Sequence, residues 1–127
     1  MNETDYRFML TMEVRDYEID YQGIVNNANY LHYLEHTRHE FCKKEGLTFG
    51  KMHELGIDPV LAHADIAYKS PLRIGDSFVS CLNIKKKGPK FLFYQDIFKS
   101  DGTPVLQAVL TIACIENGQL TRGEILA

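Results

Sequence analysis

The 127 residues carry 14 Lys and Arg against 17 Asp and Glu, a net charge of −3, with 45% hydrophobic and 24% charged residues. A chain of this length supports one compact domain with a modest core, taken as residues 1–127, and the charge balance excludes a general nucleic-acid surface. The acidic start, Met1 to Tyr6, has no apolar signal core and no apolar run reaches membrane-spanning length, so a soluble, cytoplasmic protein that engages neither nucleic acid nor membrane is expected.

The chain opens with a period of two. Phe8, Leu10, Met12 and Val14 alternate with Arg7, Met9, Thr11 and Glu13, which predicts a strand with one buried face over Arg7 to Arg15. After a loop rich in acids the period changes: Tyr30, Leu34, Thr37, Arg38 and Phe41 form one stripe at helical spacing, with Asn26, Asn27 and Asn29 as candidate caps and Gly46 as the stop. A shorter helical turn is predicted from Phe49 to Leu55, closed by Gly56. From Val60 onward the sequence predicts strands: Val60 to Tyr68, Phe78 to Lys86, Phe91 to Phe98 and Val105 to Ile115. Turns at Ser70-Pro71, Lys87-Gly88-Pro89-Lys90 and Asp101-Gly102 separate them. The last of these strands is apolar on both faces and is the candidate central strand, and Asn117-Gly118 turns the chain into a short edge. The order reads as α+β, an antiparallel sheet of five or six strands over one helix that packs through Tyr30, Leu34 and Phe41. Three cysteines, Cys42, Cys81 and Cys114, with no C-x-x-C spacing, read as reduced thiols used as small core residues.

Two chemistries compete around the helix. His32-Tyr33-Leu34-Glu35-His36 spells an H-x-x-E-H pattern, in which two helical histidines could bind zinc with the Glu as base. At 100° per residue, however, His32, His36 and His39 lie with Lys43 opposite the apolar stripe, and no second long helix is available to supply a third ligand, so no metal is expected. The alternative is the loop. Asp16 and Glu18 read as solvated or helix-capping carboxylates. Asp20 is followed by Gly23, which lets backbone approach a ligand, and by the helix N-terminus about one turn further on. The unpaired N–H groups near Asn27 could polarise an ester or thioester carbonyl while Asp20 attacks it or draws a proton from water.

The run Val14-Arg15-Asp16-Tyr17-Glu18-Ile19-Asp20-Tyr21-Gln22-Gly23-Ile24-Val25-Asn26-Asn27-Ala28-Asn29-Tyr30, together with Tyr68-Lys69-Ser70-Pro71-Leu72-Arg73-Ile74-Gly75-Asp76, resembles the hotdog-fold acyl-CoA thioesterases of the 4-hydroxybenzoyl-CoA thioesterase family. Its Asn-Asn-Ala-x-Tyr variant is similar to plant plastid thioesterases acting on dihydroxynaphthoyl-CoA or acyl-carrier-protein thioesters. The resemblance implies a hotdog fold, a sheet wrapped around the helix, with homodimers or homotetramers and sites between subunits. It places the catalytic aspartate on Asp20, the carbonyl-polarising backbone N–H on Asn27 and the glycine before the helix on Gly23. It also sets Tyr21, Val25, Asn26, Tyr30 and Tyr68 at the substrate. Many bacterial members carry His or an aromatic residue where this chain has Asn26-Asn27, a change that a backbone donor tolerates. A second hotdog group places its acid on the helix, at Glu35 here, but the presence of Asp20 leaves Glu35 a structural or interface residue.

A thioester suits so sparse a site, because a thiolate leaving group with a pKa near about 8.5 needs little acid assistance. Lys85, Lys86, Lys87 and Lys90 around one turn, and Lys69 and Arg73 around another, could cradle CoA phosphates or the acidic surface of an acyl carrier protein. No cofactor is expected beyond the CoA or phosphopantetheine arm of the substrate. The reading from another class is a non-catalytic hotdog module that binds an acyl thioester or a partner protein. The dehydratases and hydratases of the fold are set aside, since His63 lacks the context of their motif.

Overall fold

The computed structural model describes residues 6–46, 54, 57–88, 90–116 and 119–121. Strand β1 (Phe8–Glu13) is followed by a single 3-10 turn at Asp16–Glu18, the 18-residue helix α1 (Asn27–Lys44), and strands β2 (Ile57–Tyr68), β3 (Ser77–Lys87), β4 (Lys90–Lys99), β5 (Pro104–Glu116) and β6 (Gln119–Thr121). Apart from Glu54, the turn predicted between Phe49 and Gly56 lies outside the described residues, as does Asn117-Gly118.

The strands form one antiparallel sheet in the order β1-β3-β4-β5-β2, with β6 adding to the end of β5. Consecutive strands β3, β4 and β5 are joined by the predicted tight turns, in which Gly88 and Gly102 adopt positive φ. The helix buries the stripe read from the sequence, Tyr30, Leu34, Thr37, Arg38 and Phe41, and adds Tyr33. Its apolar members join Phe78, Leu82, Phe93, Ile97, Leu106 and Leu110 from the sheet in the core. Cys81 and Cys114 are buried and Cys42 half-buried, and none of the three is in a disulfide.

Polar groups caught between helix and sheet are paired, as burial requires. Thr37 Oγ1 meets Ser80 Oγ at 2.7 Å. Arg38 Nη1 donates to Gln95 Oε1 at 2.9 Å, and Gln95 Nε2 donates to the Leu34 carbonyl at 3.0 Å.

Strand β2, predicted over Val60 to Tyr68, forms but buries neither face. Between Val60 and Lys69 only Ile66 is partly buried, while Leu61 is 47% and Tyr68 50% exposed. The reason is position: β2 pairs with β5 along one side, and among the described residues its other side has no neighbour. A bare twelve-residue edge carrying Val60, Leu61 and Tyr68 is the kind of strand that folded proteins normally cover.

Candidate active site

The chain leaves β1 through Val14, whose N–H donates to the Asp76 carbonyl at 2.9 Å, and makes its 3-10 turn. A tight turn follows at Asp20–Gly23: the Gly23 N–H donates to the Asp20 carbonyl at 3.0 Å, and the Asp20 N–H to the Ile24 carbonyl at 2.9 Å. Gly23 sits at φ 80°, a conformation that side chains disfavour, so glycine is required to close this turn. Ile19 and Val25 bridge its two arms, and the Val25 N–H donates to the Leu72 carbonyl, stitching the loop to the Leu72–Gly75 segment.

Asn26 is the helix cap, its Oδ1 accepting from the Ala28 N–H at 2.9 Å while its carbonyl accepts from the Asn29 N–H. Two first-turn donors are thereby used. Among the described residues the Asn27 N–H has no acceptor, and Asn27 lines a groove of about 230 Å3 with Ile24, Val25, Tyr30, Tyr68 and Lys69. An unpaired N–H at the positive end of an 18-residue helix is a donor for a carbonyl that gains negative charge. A broader depression of about 770 Å3 runs along β1 past Arg15, Tyr17 and His36, and neither end of α1 lines it.

The structure gathers part of the predicted site into that groove. Val25, Asn27, Tyr30, Tyr68 and Lys69 line it. Tyr30 is held rigidly, its ring edge-on to Tyr68 at 5.6 Å and its hydroxyl accepting from the Leu72 N–H at 2.9 Å, with burial pushing the phenol pKa up. Asp20 and Gly23 lie in the adjoining turn, outside the groove lining. One Asp20 carboxylate oxygen accepts from the Gln22 N–H at 2.8 Å, and Tyr21 at the turn's tip is 98% exposed. Arg73 bridges Ile24 through its backbone and its side chain is exposed. Lys87 and Lys90 are exposed at the opposite end of the sheet. Tyr68 pairs with Leu106, whereas Lys90 pairs with Ala113, seven residues or about 23 Å along β5.

Two acids and the histidines need restating. Asp16 is exposed as expected. Glu18 takes the capping reading: its Oε1 accepts from the Arg15 N–H at the head of the 3-10 turn, and it is buried, at 7% exposure, rather than solvated. His32, Glu35 and His36 are exposed, and among the described residues no three His, Cys, Asp or Glu side chains converge on a common point.

Comparison with known proteins decides the family. The family model of the thioesterase-like superfamily matches residues 14–124. The chain belongs to that superfamily. As a member it is a thioester hydrolase, and its architecture is the hotdog fold. A solved Aquifex aeolicus protein superimposes with a TM-score of 0.87 at 34% identity, covering 94% of this chain and 96% of that one. The chloroplastic acyl-acyl carrier protein thioesterase ATL3 of Arabidopsis thaliana is 35% identical over 99 residues, 76% of this chain and 52% of its own, so the chain spans about half that relative's length. The 1,4-dihydroxy-2-naphthoyl-CoA thioesterase of Synechocystis shares the fold, with a TM-score of 0.81 at 20% identity over 86% of this superfamily member and 82% of its own chain.

Proposed function

We propose that this hotdog thioesterase hydrolyses an acyl-CoA or acyl-carrier-protein thioester, with the Asn27 N–H polarising the thioester carbonyl and Asp20 as nucleophile or general base. The unpaired Asn27 N–H at the head of the Tyr30–Tyr68 groove carries this reading. As an acyl group enters the groove, its carbonyl oxygen meets the helix N-terminus and gains charge there as the tetrahedral intermediate forms. Asp20 keeps one carboxylate oxygen on the Gln22 N–H, which fixes the side chain, and the other is left for a water proton or the carbonyl carbon. Collapse expels the thiolate, which needs no strong acid.

Since Lys87 and Lys90 stand at the far end of the sheet from the groove of their own chain, a second chain completes the carrier-binding part of the site. The bare edge of β2 supplies the means. Antiparallel pairing of two β2 strands centred on Ala64 sets Tyr68 opposite the partner's Val60, and Val60 leads through Ala113 to Lys90 in register. The partner's Lys90 then stands three strand spacings, about 14 Å, from Tyr68, and the end-to-end mismatch within one chain disappears. Lys69 at the groove and the partner's Lys87 and Lys90 beyond it would take the phosphates or the acidic face of the carrier. The name of the plant relative favours a carrier protein there. Among the described residues no helix is long and apolar enough to cross a membrane, and three cysteines outside any disulfide suit a reducing, cytoplasmic setting.

The test is thiol release from a panel of acyl-CoA and acyl-carrier-protein thioesters. Turnover of at least one, with Lys87→Glu/Lys90→Glu raising KM about tenfold at nearly constant kcat, is expected. A KM unchanged by charge reversal removes the lysines from the site, and no turnover of any thioester favours a binding module.

A further inference from the structure

The buried Glu18 is a loop carboxylate that the proposed chemistry does not use, and it has the densest bonding there. Its Oε1 accepts from the Arg15 N–H at 2.8 Å and from the Tyr33 hydroxyl at 2.8 Å, and its Oε2 from Arg15 Nη1 at 3.3 Å. Its main-chain carbonyl accepts from the Asn26 N–H at 3.2 Å and from Asn29 Nδ2 at 2.7 Å. One residue therefore ties the end of β1, the interior of the helix and the helix cap together, two positions before Asp20 and across the loop from Asn27.

We infer that Glu18 and Tyr33 are positioning residues for hydrolysis, holding the turn that carries Asp20 at a fixed distance from the Asn27 N–H. The inference rests on the assignment of Asp20 and Asn27 above. Both Oε1 donors are rigid: one is backbone, and the Tyr33 ring is wedged edge-on against Tyr30 at 6.1 Å and tilted against Phe78 at 4.8 Å. Beyond Tyr30 the same chain of contacts reaches Leu72 and Tyr68, so the latch and the groove wall share one support. Neither Glu18 nor Tyr33 lines the groove, so neither contributes to ground-state binding of the acyl group. A shift of the Asp20 turn relative to Asn27 acts on the chemical step, where a misplacement of about 1 Å can cost about a hundredfold in rate. The acceptor geometry, not the charge, carries the effect, because both rigid donors converge on a single oxygen that an amide also offers.

Steady-state thiol release by Glu18→Gln, Glu18→Ala, Tyr33→Phe and Asp20→Ala, normalised to folded protein by circular dichroism, tests this. Glu18→Gln should keep kcat within about threefold of wild type, while Glu18→Ala loses about a hundredfold and Tyr33→Phe about tenfold, all with KM within twofold. The positioning role is overturned if Glu18→Gln is as slow as Glu18→Ala, if the losses appear in KM, or if Tyr33→Phe, which keeps the ring packing, runs at the wild-type rate. Asp20→Ala separates the two claims: an active Asp20→Ala overturns the assignment of the acid itself, whereas a dead Asp20→Ala beside an unimpaired Glu18→Ala overturns only the latch.

Discussion

At the scale of single residues, the polar groups sealed between helix and sheet decide more than their number suggests. Gln95 is fully buried and is the hydrogen-bond partner of the Arg38 guanidinium, whose pKa burial lowers. Gln95→Leu removes that acceptor and leaves a buried cation unpaired, so a loss of about 2–3 kcal/mol in urea unfolding is expected. Cys42 makes a gentler test. Burial pushes its thiol pKa up, so at a given pH it holds less thiolate than a free cysteine, and alkylation of the native protein at pH 8 should be slower than after unfolding. The turn at Gly23 and the Asn26 cap were legible in the sequence because a turn glycine and a helix cap have local signatures. Glu18 was legible as a capping carboxylate but not as a buried one. Its burial depends on Tyr33, fifteen residues away, and a contact at that separation leaves no periodic trace.

The elements were read with uneven success for a physical reason. A helix packed on a sheet buries a stripe, and Tyr30, Leu34, Thr37, Arg38 and Phe41 showed that stripe because each faces the core. Tyr33 escaped it, being buried by the loop bond to Glu18 as well as by the sheet. Strand β2 was found but shows no buried face, since alternation reports a buried side only when something covers that side, and among the described residues nothing does. The helix cap offers an element-scale test that couples stability to chemistry. Asn26→Ala frees the Ala28 N–H and should cost about 1 kcal/mol, read as a lower melting temperature.

For the molecule as a whole, the groove with its helix terminus and adjoining acid-bearing turn lies at one end of the sheet and the lysine hairpin at the other. The edge of β2 is the feature that can bring them together. Two chains joined there would bury Val60 and Leu61 and form one continuous sheet with no bare edge between them. Sedimentation should therefore give at least a dimer, and Ala64→Lys, which sets two like charges directly opposite each other at the centre of the pairing, should shift it toward monomer and lower turnover in parallel. Activity that survives in monomers would place the whole site within one chain. The most direct measurement of the central claim is free-thiol release by Asp20→Ala beside wild type, at saturating acyl thioester and equal folded concentration. The account requires a fall in kcat of at least about a hundredfold, as expected when the attacking or proton-accepting group is removed. Equal rates for the two proteins would contradict it.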